Sequence, residues 1–205
     1  MNDFDKVVKA VILGHAVADA LGVPVEFCSR DELVKKPITD MIGFGTYPHP
    51  EGSWSDDTSM SLCTLESLTL GMVNYDDMMI NFGKWYYDDD FTPTGEMFDV
   101  GNTCSTAIDN YFVKKKPINL CGLDNEHSNG NGSLMRIHPL VLYLYTREDL
   151  SIEEKIEIIH SVSALTHAHE RSKIACGIYA FVLWSILDKK DKFHSIRSGL
   201  SKARK

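Results

Sequence analysis

Apolar residues recur every three to four positions at the start of the chain: Val7, Val8, Val11, Ile12, Ala16, Ala20 and Leu21 share one face, and Gly22 followed by Pro24 supplies a stop. That spacing predicts a helix with one buried face. Ser29 and Glu32 have capping-box spacing, which predicts a short helix ended by Pro37. Residues 37 to 54 are rich in Gly, Pro and Tyr and read as a loop. Ser55-Asp56-Asp57-Thr58 then opens a helix carrying Met60, Leu62, Leu65 and Leu68, which ends near Gly71. Further helical patterns cover residues 75 to 87, with Met78, Met79, Phe82 and Trp85, and then residues 103 to 115, 133 to 145, 151 to 165 and 170 to 187. Strand alternation is almost absent, so the pattern predicts an all-α, compact multi-helix domain over residues 1 to 205, without internal repeats.

Composition narrows the class of protein. A chain of 205 residues with 43% hydrophobic content can bury one sizeable core. The formal charge is −8, with no basic block to follow a phosphate backbone, which argues against a nucleic-acid partner. Five widely spaced cysteines with no C-x-x-C pair read as thiols in a reducing compartment. The apolar run from residue 7 to 23 has the length of a leader but carries His15 and Asp19 and lacks a strongly basic start. No other segment reaches membrane-spanning length, so a cytoplasmic protein without a membrane partner is expected.

Three junctions between loops and helices concentrate oxygen-bearing side chains. At Ser55-Asp56-Asp57-Thr58, two readings stand: acidic caps at the positive end of a helix dipole, or ligands for a hard cation such as Mg2+ or Mn2+. A single cap needs only one of these four residues. Glu26 follows a Pro-stiffened turn between Val25 and Phe27, where it is either an ordinary loop glutamate or a cleft carboxylate with a proton-accepting or metal-bridging role. The third junction, Asn129-Gly130-Asn131-Gly132-Ser133, reads either as an Asn-Gly turn with Ser133 as helix cap or as a backbone cradle for phosphate oxygens. It has no Walker lysine and no preceding strand, which argues against a nucleotide-triphosphate loop. His167 and His169 do not share a helical face and have no cysteine nearby, which argues against zinc. The acidic run at residues 88 to 90 reads as a solvated helix end.

Taken together, five ordered segments resemble the ADP-ribosylglycohydrolases of the dinitrogenase-reductase-activating type. They are Ala18-Asp19-Ala20-Leu21-Gly22 with Pro24, Glu26 and Phe27; Ser55-Asp56-Asp57-Thr58 with Met60; Phe98-Asp99-Val100-Gly101-Asn102-Thr103; Gly130-Asn131-Gly132-Ser133 with Met135 and Arg136; and Leu165-Thr166-His167. The resemblance covers roughly residues 8 to 185. It implies an all-α domain with two divalent ions, Mg2+ or Mn2+, in a cleft that binds ADP-ribose. By the same match, Ser55, Asp56 and Asp57 become metal ligands, and Glu26 and Asp57 the catalytic acids near the attacked ribose. Asn131, Gly132 and Ser133 become the diphosphate loop, with Asp99 and His167 in the substrate pocket. The implied reaction is attack of water on the anomeric carbon through an oxocarbenium-like state.

The match has a gap. The family's C-terminal Asp-x-Asp-Thr metal motif has no counterpart after Leu187, where Asp188, Asp191 and the lysine-rich end at residues 201 to 205 do not fit. The expectation is therefore a chain that is C-terminally incomplete or has lost part of its metal site. Three functions remain open: a hydrolase acting on an ADP-ribosylated protein, with arginine as the favoured acceptor; an inactive ADP-ribose-binding or structural module; and a hydrolase of a small ADP-ribosyl metabolite.

Overall fold

A computed structural model describes residues 3–188 and 191–203, and among them the chain is all-α, with nine α-helices and no strand. They are α1 Asp3–Gly22, α2 Arg30–Lys35, α3 Asp56–Leu68, α4 Tyr75–Asp88, α5 Asn102–Phe112, α6 His138–Tyr145, α7 Ile152–Ala164, α8 Glu170–Leu187 and α9 Lys192–Lys202. Both expected capping boxes form, at Ser29 with Glu32 and at Ser151 with Glu154. Neighbouring helices in the chain pack against one another from α3 to α5 and again from α6 to α9, and α3 joins the two sets by packing on α1 and α6. Met60, Met78, Met79, Phe82, Trp85, Ile108, Leu140, Leu144, Ile159 and Val162 form the common core.

Two elements differ from the sequence expectation. The helix expected from residue 133 starts at His138, and residues 132–136 wind instead as consecutive turns. Pro139 accounts for this: inside a helix begun at Ser133 its ring would clash with the Met135 carbonyl, whereas near a helix start its missing N–H costs nothing. The freed Met135 carbonyl accepts from Ser61 Oγ at 3.3 Å and meets His138 Nδ1 at 3.3 Å. The second difference is α9, whose polar sequence gave little apolar rhythm. Asp191 caps it by accepting from the Phe193 and His194 amides, and Gly199 lets it press against the α8 backbone at Val182. Arg204 and Lys205 of the lysine-rich end lie outside the described residues.

By length and composition α1 could cross a membrane, and it is the one described helix of which this is true. Two of its polar residues nevertheless point into the fold: the His15 ring lies 4.4 Å from that of His138, and Asp19 bonds to the start of α3. Leu13 and Val17, on its other face, are 63% and 55% exposed.

His138 is buried, and burial, followed by the proximity of His15, pushes its pKa down to about 3. Unfolding returns the ring to its ordinary value of 6.5. The unfolded chain therefore binds the extra proton between these values, so this residue's contribution is whole above pH 6.5 and is lost as pH falls toward 3. Between pH 7 and 5 the linkage amounts to about 2 kcal/mol. Urea unfolding of the wild type should therefore lose about that much more over this interval than His138→Gln does. Equal losses would mean that the folded ring takes up its proton as readily as the unfolded one.

Candidate active site

The site begins where α1 ends. Asp19, in the last turn of α1, accepts four hydrogen bonds from the first turn of α3: the Ser55 amide at 3.0 Å, Ser55 Oγ at 2.7 Å, the Thr58 amide at 3.1 Å and Thr58 Oγ1 at 2.6 Å. The carboxylate thereby satisfies helix N–H groups that have no partner within α3, at the positive end of its dipole. Ser55 is the N-cap, its hydroxyl donating to Asp19 while accepting from the Asp57 amide at 3.4 Å. With its cap fixed, α3 presents Asp56 and Asp57 to a cleft of about 420 Å3.

Glu26 and Asp99 reach the same cleft from two loops. The Glu26 turn is held by the loop expected at residues 37 to 54, whose Thr46 amide donates to the Pro24 carbonyl at 2.9 Å and whose Thr46 Oγ1 donates to the Glu26 carbonyl at 2.7 Å. Gly45 makes this approach possible, because a side chain there would run into the Pro24 backbone. Asp99 takes a left-handed backbone conformation, φ 55°, which Asp tolerates better than most residues.

Burial, and then the crowding of carboxyls, sets the electrostatics. Burial, reinforced by Asp57, Asp99, Asp19 and Glu26, pushes Asp56 up to about 9. Burial and then the hydrogen-bonded Asp99 carboxyl raise Glu26 to about 7, against the opposing pull of the Tyr47 hydroxyl. Asp57 is raised by burial and by Asp19, with His15 acting the other way. No Lys or Arg lines this cleft, and the raised carboxyls hold their protons in place of a cationic partner.

The facing wall is the glycine-rich turn. Gly130, Asn131, Gly132 and His167 line the cleft together with Gly101, Asn102 and Thr103 at the start of α5. Ser133, read from the sequence either as a helix cap or as part of a diphosphate loop, does not reach the cleft: no regular helix starts beside it, and its side chain is buried behind the wall, accepting from Ser163 Oγ at 2.9 Å and lying 3.6 Å from Cys176 Sγ. Of the residues singled out from sequence, Glu26, Asp56, Asp57, Asp99, Asn131, Gly132 and His167 meet at the cleft, while Ser55 and Ser133 lie beneath its surface. Sequence reasoning gave no role to Asp19 or to Tyr47, which sits among the Gly and Pro residues of an apparent loop. A larger, mainly apolar groove of about 790 Å3 between α7, α8 and the end of α9 contains none of the predicted site residues.

The donors suit a hard divalent cation in kind. They are carboxylate oxygens held by a fixed helix start, and a cation would offset the burial and the repulsion that raise them. In number they fall short: among the described residues no group of three or more His, Cys, Asp or Glu is arranged to enclose an ion. Mg2+, which retains several waters and takes one or two carboxylates, is compatible with that incomplete set.

The sequence profile of the ADP-ribosylglycohydrolase family matches residues 1–205. Among curated proteins, an ADP-ribosylarginine hydrolase Tri1 from Serratia proteamaculans is 30% identical over 176 residues, which is 85% of this chain and 46% of that protein. The ADP-ribosyl-[dinitrogen reductase] glycohydrolase of Rhodospirillum rubrum is 31% identical over 168 residues, 80% of this chain and 52% of its own length. A solved structure titled ADP-ribosylglycohydrolase-related protein complex superposes with a TM-score of 0.70 at 29% identity, covering 87% of this chain and 55% of that one. The chain thus spans about half the length of the curated relatives it matches.

Replacing Asp19 by Asn tests the clasp on α3, since an amide turns an NH2 group toward donors that need an acceptor. Denaturant unfolding should show a loss of about 3 kcal/mol. A loss below about 0.5 kcal/mol, the level of an ordinary surface substitution, would show that α3 is fixed by other contacts.

Proposed function

The chain belongs to the ADP-ribosylglycohydrolase family, and from that premise we propose that its acidic cleft forms one side of a site that hydrolyses the bond between ADP-ribose and a protein arginine. The observation that carries this reading is the meeting of Glu26, Asp56, Asp57 and Asp99 with a glycine-rich turn across a single cleft. Carboxylates face the position where positive charge develops on the ribose, and the turn offers backbone N–H groups to phosphate oxygens. The names of the Tri1 relatives favour arginine as the acceptor.

Glu26, brought to about 7, can hold or accept a proton near neutral pH, which suits it to take one from the attacking water. Asp57 and Asp99 stabilise the oxocarbenium-like charge, and the Tyr47 hydroxyl orients Glu26. When bound, Mg2+ or Mn2+ would orient the ribose hydroxyls and the water, with Asp56 and Asp57 as the oxygens that hold it and Ser55 beside them. A cytoplasmic setting accords with five free cysteines, of which four are buried.

Replacing Glu26 by Gln should lower the rate of ADP-ribose release from ADP-ribosylated arginine at least about 100-fold while changing ADP-ribose affinity little. Equal losses in rate and affinity, or none in either, would take proton transfer away from Glu26.

The incomplete donor set gives a second expectation, for residues 1–205 as an isolated chain. Calorimetric titration with Mg2+ or Mn2+ should find at most one weak site, removed by Asp56→Asn or Asp57→Asn without change in circular dichroism. Two tight sites would require ligands beyond those named here.

A further inference from the structure

Behind the glycine-rich wall lies a fully buried cation, Arg136, with no carboxylate paired to it among the described residues. Its Nε donates to the Gly132 carbonyl at 3.1 Å, and its Nη2 donates to the Val162 carbonyl at 3.3 Å and to Thr166 Oγ1 at 2.8 Å. The guanidinium also rests 4.4 Å above the centre of the Phe82 ring. Thr166 Oγ1 in turn lies 2.9 Å from His167 Nδ1. His167 is held from its backbone as well, since the Thr166 carbonyl accepts from the Leu123 amide at 2.9 Å and the Ala168 amide donates to the Leu123 carbonyl at 2.8 Å.

The order of donors fixes the order of protons. Arginine only donates, so the threonine oxygen is an acceptor toward Arg136 and keeps its own hydrogen to give away. The imidazole Nδ1 is a strong acceptor in reach, and the neighbouring Cys104 sulfur is a weak one. The field of Arg136 acts in the same direction, because a lone pair facing the cation is favoured over an N–H bond facing it. Burial, and then that same charge, lowers the His167 pKa to about 4, so the ring is neutral and carries a single proton.

The far edge of the ring looks into the site. A Cβ added to Gly132 would come within 2.7 Å of His167 Cε1 and 3.3 Å of Nε2, and one added to Gly130 would meet only Nε2, at 3.8 Å. Among the described residues nothing hydrogen-bonds to Nε2. We propose that Arg136 and Thr166 fix His167 as its Nε2–H tautomer, so that it presents a neutral hydrogen-bond donor to the cleft beside the Gly130–Gly132 turn. Resting on the ADP-ribose reading above, the ligand group received there is an acceptor oxygen, most strongly an anionic phosphate oxygen. The opposite tautomer would turn a lone pair toward that oxygen and repel it. Arg136 and Thr166 are thus positioning residues that act through His167.

Long-range 1H–15N correlation spectra of the 15N-labelled, ligand-free chain at pH 7 test the assignment, with the His167 signals identified by their loss in His167→Gln. The expected result is a protonated Nε2 and a bare Nδ1 in the wild type and in Thr166→Ser, and a mixture of tautomers in Thr166→Val. A proton on Nδ1 in the wild type would overturn the proposal, whether or not any variant folds. Calorimetry with ADP-ribose should show about tenfold weaker binding by Thr166→Val and recovery to within about threefold in Thr166→Ser. Unchanged binding by Thr166→Val, despite a mixed tautomer, would overturn the role of the donor in ligand recognition. If the wild type bound no ADP-ribose, the functional reading above would fall, and the spectra would still decide the tautomer.

Discussion

The carboxylate of Asp19 joins two helix ends of opposite kind, the last turn of α1 and the first turn of α3, and the position of the acidic wall follows from that junction. A helix start leaves its first N–H groups without partners inside the helix, and a buried start must find acceptors elsewhere. Asp19 supplies them from another helix instead of from the local sequence, so that Ser55 and Thr58 are tied to α1 as well as to α3. This coupling frees Asp56 and Asp57 from capping. Their carboxyls face the cleft at the positive end of the helix dipole, which offsets part of the repulsion among them.

The opposite wall rests on a charge of the other sign, used indirectly. Arg136 takes no part in the cleft surface and meets no carboxylate among the described residues, yet it touches the Gly132 carbonyl, the Val162 carbonyl at the end of α7 and Thr166. A buried guanidinium without a counter-ion needs carbonyl oxygens and an aromatic face around it; here they serve Nε, Nη2 and the ring plane, while Nη1 has no hydrogen-bond partner among the described residues. Those requirements also fix the turn in one place against α7. Burial, and then the Arg136 charge, lowers the His167 pKa to about 4, so the ring adds no formal charge to the cleft near neutral pH.

Helix boundaries were legible wherever a local signal set them. Ser29 with Glu32, Ser151 with Glu154 and the apolar stripe of residues 170 to 187 all became the elements their patterns predict. The start of α6 was misplaced because periodicity continued backward through residue 133, whereas the steric effect of Pro139 on the Met135 carbonyl decides the boundary. Convergence of the cleft residues was legible only through the ordered motifs. Glu26, Asp99 and His167 are far apart in the chain, and nothing local about any of them reports that it faces Asp57. Asp19 stayed hidden for a related reason: on a helix of apolar residues a single aspartate looks like an interruption of the stripe, and its partners lie 36 and 39 positions away. Tyr47 is a similar case, since a tyrosine in a Gly- and Pro-rich loop has no periodicity to mark its direction.

The contrast between the two walls bears on how a ligand can lie between them. Burial, and then the crowding of four carboxyls, raises Glu26 to about 7 and Asp56 to about 9, and whichever of these groups ionise would repel a diphosphate at contact distance. The turn at residues 130–132 carries no acidic side chain, and the start of α5 lines the same space. For an ADP-ribosyl ligand, one orientation avoids like-charge contact: diphosphate along the turn and His167, with the reacting ribose toward Glu26, Asp57 and Asp99. In the proposed reaction, a ribose that gains positive charge as its bond to the acceptor breaks would then be stabilised by carboxyls of the opposite wall. On the proposed reading, binding and chemistry would be divided between walls of different electrostatic character, each resting on a supporting group beneath it, Asp19 under one and Arg136 under the other.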